Sequence, residues 1–258
     1  MRDWPLSLPP LALPKPRRAA TMRSDGNGTG EQMPELMNRA PWPQPRREPM
    51  EGRYVRLEPL DPERHGDGLF AISAAEGDRF RWLFEDAPAD RAAFRAWLDR
   101  VAASRDPLFF TVIDRATGAV AGRQAFMRID TANGVIEIGN ILWSSLVARK
   151  AAATEALFLF ARHAFDDLGY RRFEWKCNNA NTPSKRAALR FGFTFEGIFR
   201  QHMIVKGENR DTAWFSMLDH EWPRTRAAFE AWLSPENFDT NGRQKQRLEE
   251  LRAGIAAQ

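Results

Sequence analysis

Apolar positions recur along the chain with two periods, and the switches between them mark its elements. Arg53-Tyr54-Val55-Arg56-Leu57 alternates, as a half-buried strand does. Asp61 followed by Pro62 is a helix start, with Asp as cap and Pro at the first position, and that helix is expected to run to about Ala75. Residues 79–84 read as an aromatic loop or short helix. A second helix is expected over residues 90–103, with Phe94, Trp97, Leu98 and Val101 on one face. Residues 108–114 and 119–129 form a hairpin around Arg115-Ala116-Thr117-Gly118, and Asn133-Gly134 turns the chain into a strand over 135–143. Beyond Ala151-Ala152-Ala153, helical spacing of Leu157, Phe160, Ala161, Ala164, Phe165 and Leu168 predicts one apolar stripe, ended by Gly169. Residues 172–177 alternate, with Phe173, Trp175 and Cys177 opposite Glu174 and Lys176. Asn181-Thr182-Pro183-Ser184 opens another helix that stops at Phe191-Gly192-Phe193, and strands over 194–204 and 211–218 flank a turn at Lys206-Gly207.

These elements divide the chain into three. Residues 1–50, rich in Pro, Arg, Gly and Ser, are expected to be a disordered N-terminal extension. Residues 51–219 hold the folded domain, and 220–258 read as a polar helical appendage. With 18 Phe and 9 Trp the chain has material for a sizeable core. The net charge of +4 owes much to Arg17, Arg18, Arg46 and Arg47, too sparse a set to argue for nucleic acid. Cys177 is the one cysteine, which excludes an internal disulfide and fits a reducing compartment. No apolar run approaches the ~20 residues of a membrane span, and Pro5, Pro9, Pro10, Pro14 and Pro16 interrupt the first residues, so a cytoplasmic protein is expected. His65, His163, His202 and His220 lack metal-ligand spacing, and no metal is expected.

The stretch from Ile138 to Leu168 carries the chemistry. An apolar strand ends in a short loop, and small residues then leave the first helical turn uncovered. The unpaired N–H groups and the helix dipole there favour an anion by about 0.3–2 kcal/mol. A phosphate can approach, with Arg149 and Lys150 either supplying charge or standing as solvated loop cations. Alternation sets Glu137 opposite Ile136 and Ile138, as a catalytic carboxylate or a solvent-facing one. Asn181 serves as a helix cap or as a ligand contact. Phe80, Trp82 and Phe84 cap the core or wall a substrate pocket.

The order of elements, together with Ala151 to Ala156, Gly169-Tyr170-Arg171-Arg172, Asn181-x-x-Ser184 and Gly192-Phe193, resembles the GNAT acetyltransferase superfamily, in particular its RimJ/RimL-like branch. The resemblance covers residues 53–218. It implies an α+β fold: a mixed, mostly antiparallel seven-stranded sheet flanked by helices and splayed between its fourth and fifth strands. It implies acetyl-CoA as acyl donor, with Ile141, Leu142 and Trp143 along the pantetheine arm, and Arg149, Lys150, Ala151, Ala152, Ala153 and Thr154 about the diphosphate. Asn181 and Lys185 complete that set. Ser184 becomes the proton donor to the leaving thiolate, and Glu137 the catalytic carboxylate. Phe80, Trp82, Phe84, Asn140 and His202 line the acceptor site, with Gln201, Arg210, Asp211 and Thr212 near its end.

Four positions depart from the family's pattern. Ala148 replaces a polar loop residue, Ala151 replaces the loop's first glycine, Asn140 stands where a histidine can occur, and Ala188 stands where many members carry a tyrosine. A site without a strong base suits an easily deprotonated amine. An ε-amine of pKa ~10.4 costs about 4.6 kcal/mol to deprotonate at pH 7, and an α-amine just under 8 about 1.2. The expected acceptor is therefore an α-amine, of a protein N-terminus or an aminoacyl small molecule, attacked directly, by a monomer or homodimer. The alternative is a catalytically weak acyl-CoA-binding domain acting as sensor or scaffold.

Overall fold

The computed structural model describes residues 41–255; most of the expected N-terminal extension lies outside the described residues. Strands β1 (Met50–Glu51), β2 (Val55–Pro59), β3 (Leu108–Asp114), β4 (Val120–Asp130), β5 (Val135–Trp143), β6 (Arg172–Asn178), β7 (Thr194–Val205) and β8 (Glu208–Leu218) form one sheet. Their order is β1-β2-β3-β4-β5-β6-β8-β7. Every pairing is antiparallel except β5 with β6. The eighth strand, beyond the seven expected, is the two-residue β1, too short for any periodicity to reveal.

The helices are α1 (Pro62–Ala75), α2 (Arg91–Ala103), α3 (Ala151–Arg162), α4 (Thr182–Phe191), α5 (Trp222–Leu233) and α6 (Leu248–Gly254). Their starts follow the local chemistry. The Asp61 carboxylate accepts the N–H groups of Glu63 and Arg64, Asp90 accepts that of Ala93, and Asn181 that of Ser184. Gly192, at φ 98°, ends α4 in the left-handed region. The aromatic stretch begins as a 3-10 helix, Gly77–Trp82.

Helices α1 and α2 cover one face of the sheet through Leu69, Phe94, Leu98, Phe109 and Ala125. On the opposite face α3 departs from the single stripe expected of it: every residue from Ala152 to Ala161 is buried. The cause is α5, whose Trp222 and Phe229 meet the Phe158 ring while the sheet holds the other side of α3. A helix enclosed by two layers must be apolar all round. The segment after residue 219, expected as a polar appendage, thus gives Trp222, Phe229, Trp232 and Leu233 to the main core. Trp42, inside the expected extension, is also buried. Its Nε1 donates to the Gly169 carbonyl at 2.6 Å, and its ring lies so close to Gly134 that a Cβ there would come within 2.6 Å.

One polar group is built into this apolar layer. The buried carboxylate of Glu155, on α3, accepts the backbone N–H groups of Arg53, Tyr54 and Val55 at 2.7, 2.6 and 2.8 Å. It thereby ties the helix to the turn between β1 and β2, and a Cβ on Gly52 would collide with it. Removing the carboxylate strands three donors, at about 1–3 kcal/mol each where they stay dry. Glu155→Ala is therefore expected to lower unfolding stability by at least about 3 kcal/mol in urea titrations, and Glu155→Gln, which keeps one acceptor, by clearly less. Equal losses for the two variants would contradict this role.

Candidate functional site

The parallel pairing of β5 and β6 runs through four positions, from Val135↔Arg172 to Ile138↔Trp175, and then stops. Beyond it Gly139 to Trp143 and Lys176 to Asn178 part, leaving strand-edge N–H and C=O groups between them. The register of β5 against β4 shows where the change occurs. Ala125 opposes Gly139, but Arg123 opposes Leu142, so β5 carries one extra residue there, a β-bulge. Asn140 sits in it at φ 51°, a left-handed conformation that Asn tolerates and branched residues do not. Arg123, fully buried, donates to the Asn140 carbonyl at 3.1 Å, pairs with Glu85, and stacks on Trp97. Sequence reasoning passed over Arg123; its signal was a charge between the apolar residues Ala121 and Ala125 of β4.

Past the end of β5 the loop bends back and feeds α3. Glu76, from the far side of the sheet's edge, accepts the Ser145 N–H at 2.6 Å and fixes the start of this loop. Burial raises the pKa of Glu76, but the hydrogen bonds from Ser145 and Arg79 outweigh it and hold the carboxyl below its ordinary range. The left-handed residue is Arg149, at φ 63°, and not Ala151, which is already helical. That explains why alanine serves at 151. No side chain caps α3, so the N–H groups of Ala151, Ala152 and Ala153 have no intrahelical acceptor. Arg149 and Lys150 are exposed beside them. Thr154 is turned away, its hydroxyl accepting from Arg190 on α4.

The other strand carries Ser184 and its neighbours. Ser184 Oγ accepts from Trp175 Nε1 at 3.0 Å, and its one hydrogen is the donor it turns toward Cys177. The Asn181 side chain is occupied as the α4 cap, with only its amide nitrogen left for a ligand. Lys185 donates to Asn179 at 3.1 Å. Burial pushes the Cys177 thiol up, opposed by a hydrogen bond from Ser184, so Cys177 is held as a thiol rather than a nucleophile. Ile141 and Trp143 lie on the open edge of β5, Trp143 Nε1 donating to Gln124, while the Leu142 side chain is buried under Phe80 and Leu83.

Glu137 is on the face opposite Ile136 and Ile138, as alternation requires, yet it is buried and not solvent-facing. Arg128 from β4 bonds both its oxygens, at 2.9 and 2.8 Å, and Lys176 from β6 reaches Oε2 at 2.8 Å. Burial pushes its pKa up while Lys176 and Arg128 oppose the shift. The ion chain continues from Lys176 to Glu174, Arg172 and Glu196. His202 bonds to Thr212 and stands against Phe199 and Trp214. Phe80 is buried and lines a cavity of about 200 Å³ with Glu85, Phe94, Trp97 and Arg123. Trp82 is half-buried beneath Arg81, and Phe84 is partly exposed against Arg210. Among the described residues no three His, Cys, Asp or Glu side chains gather as metal ligands, and no helix is long and apolar enough to cross a membrane.

Comparison with known proteins gives a consistent picture. The family described as acetyltransferase (GNAT) domain matches residues 55–194. A crystal structure of a GCN5-related N-acetyltransferase from Brucella melitensis is 64% identical, superposes with a TM-score of 0.83, and covers 84% of this chain and all of that one. An N-acetyltransferase of Bacillus licheniformis, p20, named as uncharacterized, is 34% identical over 113 residues; the match takes in 44% of this chain and spans only 63% of that protein's length. The microcin C7 self-immunity acetyltransferase MccE, solved with acetyl-CoA and AMP, shares the fold at 21% identity, a TM-score of 0.59, and coverage of 65% and 93%.

The bulge makes a direct expectation. Asn140→Gly keeps the left-handed residue at no steric cost, whereas Asn140→Val forces a branched side chain into it, at about 1–2 kcal/mol. The valine variant should lose thermal stability and weaken coenzyme A binding by titration calorimetry, with the glycine variant close to the parent in both. A valine variant that binds coenzyme A as well as the parent would show that the bulge does not set the cleft.

Proposed function

The chain belongs to the GNAT acetyltransferase family, and from that premise we propose that it moves an acetyl group from acetyl-CoA to an α-amine, in the manner of the RimJ/RimL-like branch. The observation that carries this reading is the uncapped N-terminus of α3 at the mouth of two strands that have stopped pairing. The mouth fits the donor's diphosphate: three unpaired N–H groups and a dipole favour an anion, and Arg149 and Lys150 are exposed at its rim. The free edges of β5 and β6 fit an amide-bearing arm as a further strand would fit. When bound, acetyl-CoA supplies an acyl thioester; the acetyl group passes to the amine and the free thiol is released.

The chain's own residues supply position and protons. Ser184, with its oxygen accepting from Trp175, has a hydrogen to give to the sulfur as the C–S bond breaks. Asn181 contributes its amide nitrogen and Lys185 its charge near the same helix start. Glu137 is engaged by two cations and serves best through an intervening water. That weak base is enough for an α-amine, whose deprotonation at neutral pH costs about 1.2 kcal/mol. The cavity beside Phe80 and the face carrying Asn140 and His202 receive the acceptor.

Thiol release from acetyl-CoA, measured against paired peptides whose only free amine is α or ε, tests the assignment. The α-amine should react faster at pH 7, with the rate climbing as pH approaches the amine's own pKa. Ser184→Ala should lower kcat by about 10²–10⁴-fold while leaving coenzyme A affinity unchanged. A strong ε preference would defeat the α-amine reading. Thermal stabilisation by coenzyme A with no turnover of any amine would favour an acyl-CoA sensor.

A further inference from the structure

The charged groups that β4, β5, β6 and β7 carry on the face opposite α3 neutralise one another in a row. Arg128 and Lys176 hold Glu137, Lys176 and Arg172 hold Glu174, and Arg172 holds Glu196. Arg210 stands apart from this row. It lies two residues before Thr212, whose partner Asn178 is the last residue of β6, so it sits where the cleft between the strands is open. Alternation along β8 puts it on the same face as Thr212 and Trp214.

Arg210 is 7% exposed, and among the described residues its side chain has no ion pair or hydrogen bond; its Nε is fully buried with no acceptor. The Phe84 ring, 4.8 Å from the guanidinium carbon, covers it and is itself 38% exposed. Glu137 attracts it from a distance, but that carboxylate is bonded to Arg128 and Lys176, and Arg128 repels it; a buried cation with no counter-ion in contact destabilises the fold. The local field is positive as well: His202 is pressed below its ordinary pKa by burial first and then by Arg128, Arg210 and Lys176. The α3 mouth, on the opposite face, already accounts for the donor's phosphates.

We propose that Arg210 is the anion anchor of the acceptor site, holding a carboxylate or phosphate group that the amine substrate carries in addition to its reacting nitrogen. Its planar fork pairs with either group through two parallel hydrogen bonds. That contact fixes the substrate at one end while its amine lies in the cleft, with Phe84 closing over the pair. The inference rests on the proposed acyl transfer for the acceptor being an amine; the anion requirement comes from Arg210 alone.

The test uses the full chain, acetyl-CoA and three dipeptides with the same N-terminal alanine: alanyl-alanine, alanyl-alaninamide and alanyl-phosphoserinamide. The expected result is kcat/KM at least tenfold higher for a charged dipeptide than for the neutral amide, the better of the two identifying carboxylate or phosphate. Arg210→Gln should bring charged and neutral dipeptides within about twofold, Arg210→Lys should retain part of the preference, and both should bind coenzyme A as the parent does. Arg210→Gln should also raise Tm, since it removes an unpaired buried charge. A neutral dipeptide used equally well, a preference that survives Arg210→Gln, or a lowered Tm would overturn the assignment. Absence of turnover with every amine would sink the acyl-transfer reading instead. Calorimetric titration of the same dipeptides onto coenzyme A-saturated protein then decides the anchor: charged dipeptides should bind tenfold tighter than the neutral one in the parent and not in Arg210→Gln, and equal binding would refute it.

Discussion

A parallel pair of strands that can satisfy each other's backbone over only four positions sets the terms for everything around it. An unpaired strand edge inside a domain is costly unless something else bonds to it. Here β5 stays paired with β4 on both sides of the bulge, so the extra residue at Asn140 can turn the free edge away from β6 without dissolving the sheet. The gap is therefore a property of one bulge held by one buried arginine, Arg123, whose charge is balanced by Glu85.

The same strand end delivers the chain into α3, and the burial of that helix explains why the mouth can stay bare. A helix terminus exposed to solvent needs a cap to be stable. Enclosed between sheet and α5, α3 draws its stability from packing on every side and from the three hydrogen bonds that Glu155 accepts. Its first N–H groups are thus left without side-chain partners at little cost to the fold. Packing along the rest of α3 relieves its first turn of any need for a side-chain cap.

Much of this was legible in the sequence wherever the cause is local. Asp61-Pro62, Asp90, Asn181 and Gly192 declare helix ends through bonds that span three or four residues, and the structure places the ends where those signals fall. The alternation of Phe173, Trp175 and Cys177 against Glu174 and Lys176 gave the faces of β6 correctly. What stayed hidden depends on residues far apart in the chain. Glu137 could be read as catalytic or as solvent-facing, and neither reading showed its burial, because its partners Arg128 and Lys176 come from neighbouring strands. The core role of α5 was masked by arginines and glutamates on its outer side. Trp42 looked like part of a proline-rich tail because its partners, Gly134 and Gly169, lie about a hundred residues on. The unpaired state of Arg210 could not be read at all, since a missing partner leaves no trace in a string of residues.

The row of ion pairs from Arg128 through Glu137, Lys176, Glu174 and Arg172 to Glu196 crosses β4, β5, β6 and β7. Each inner member is shared by two partners of opposite sign, so a charge lost in the middle leaves a surplus on both sides in a buried layer. Over evolutionary time such a row drifts as a set or hardly at all. Relatives that alter Glu137 should carry compensating changes at both Arg128 and Lys176, and variation in what the enzyme accepts should accumulate instead at groups outside the row, where a single substitution disturbs no neighbour.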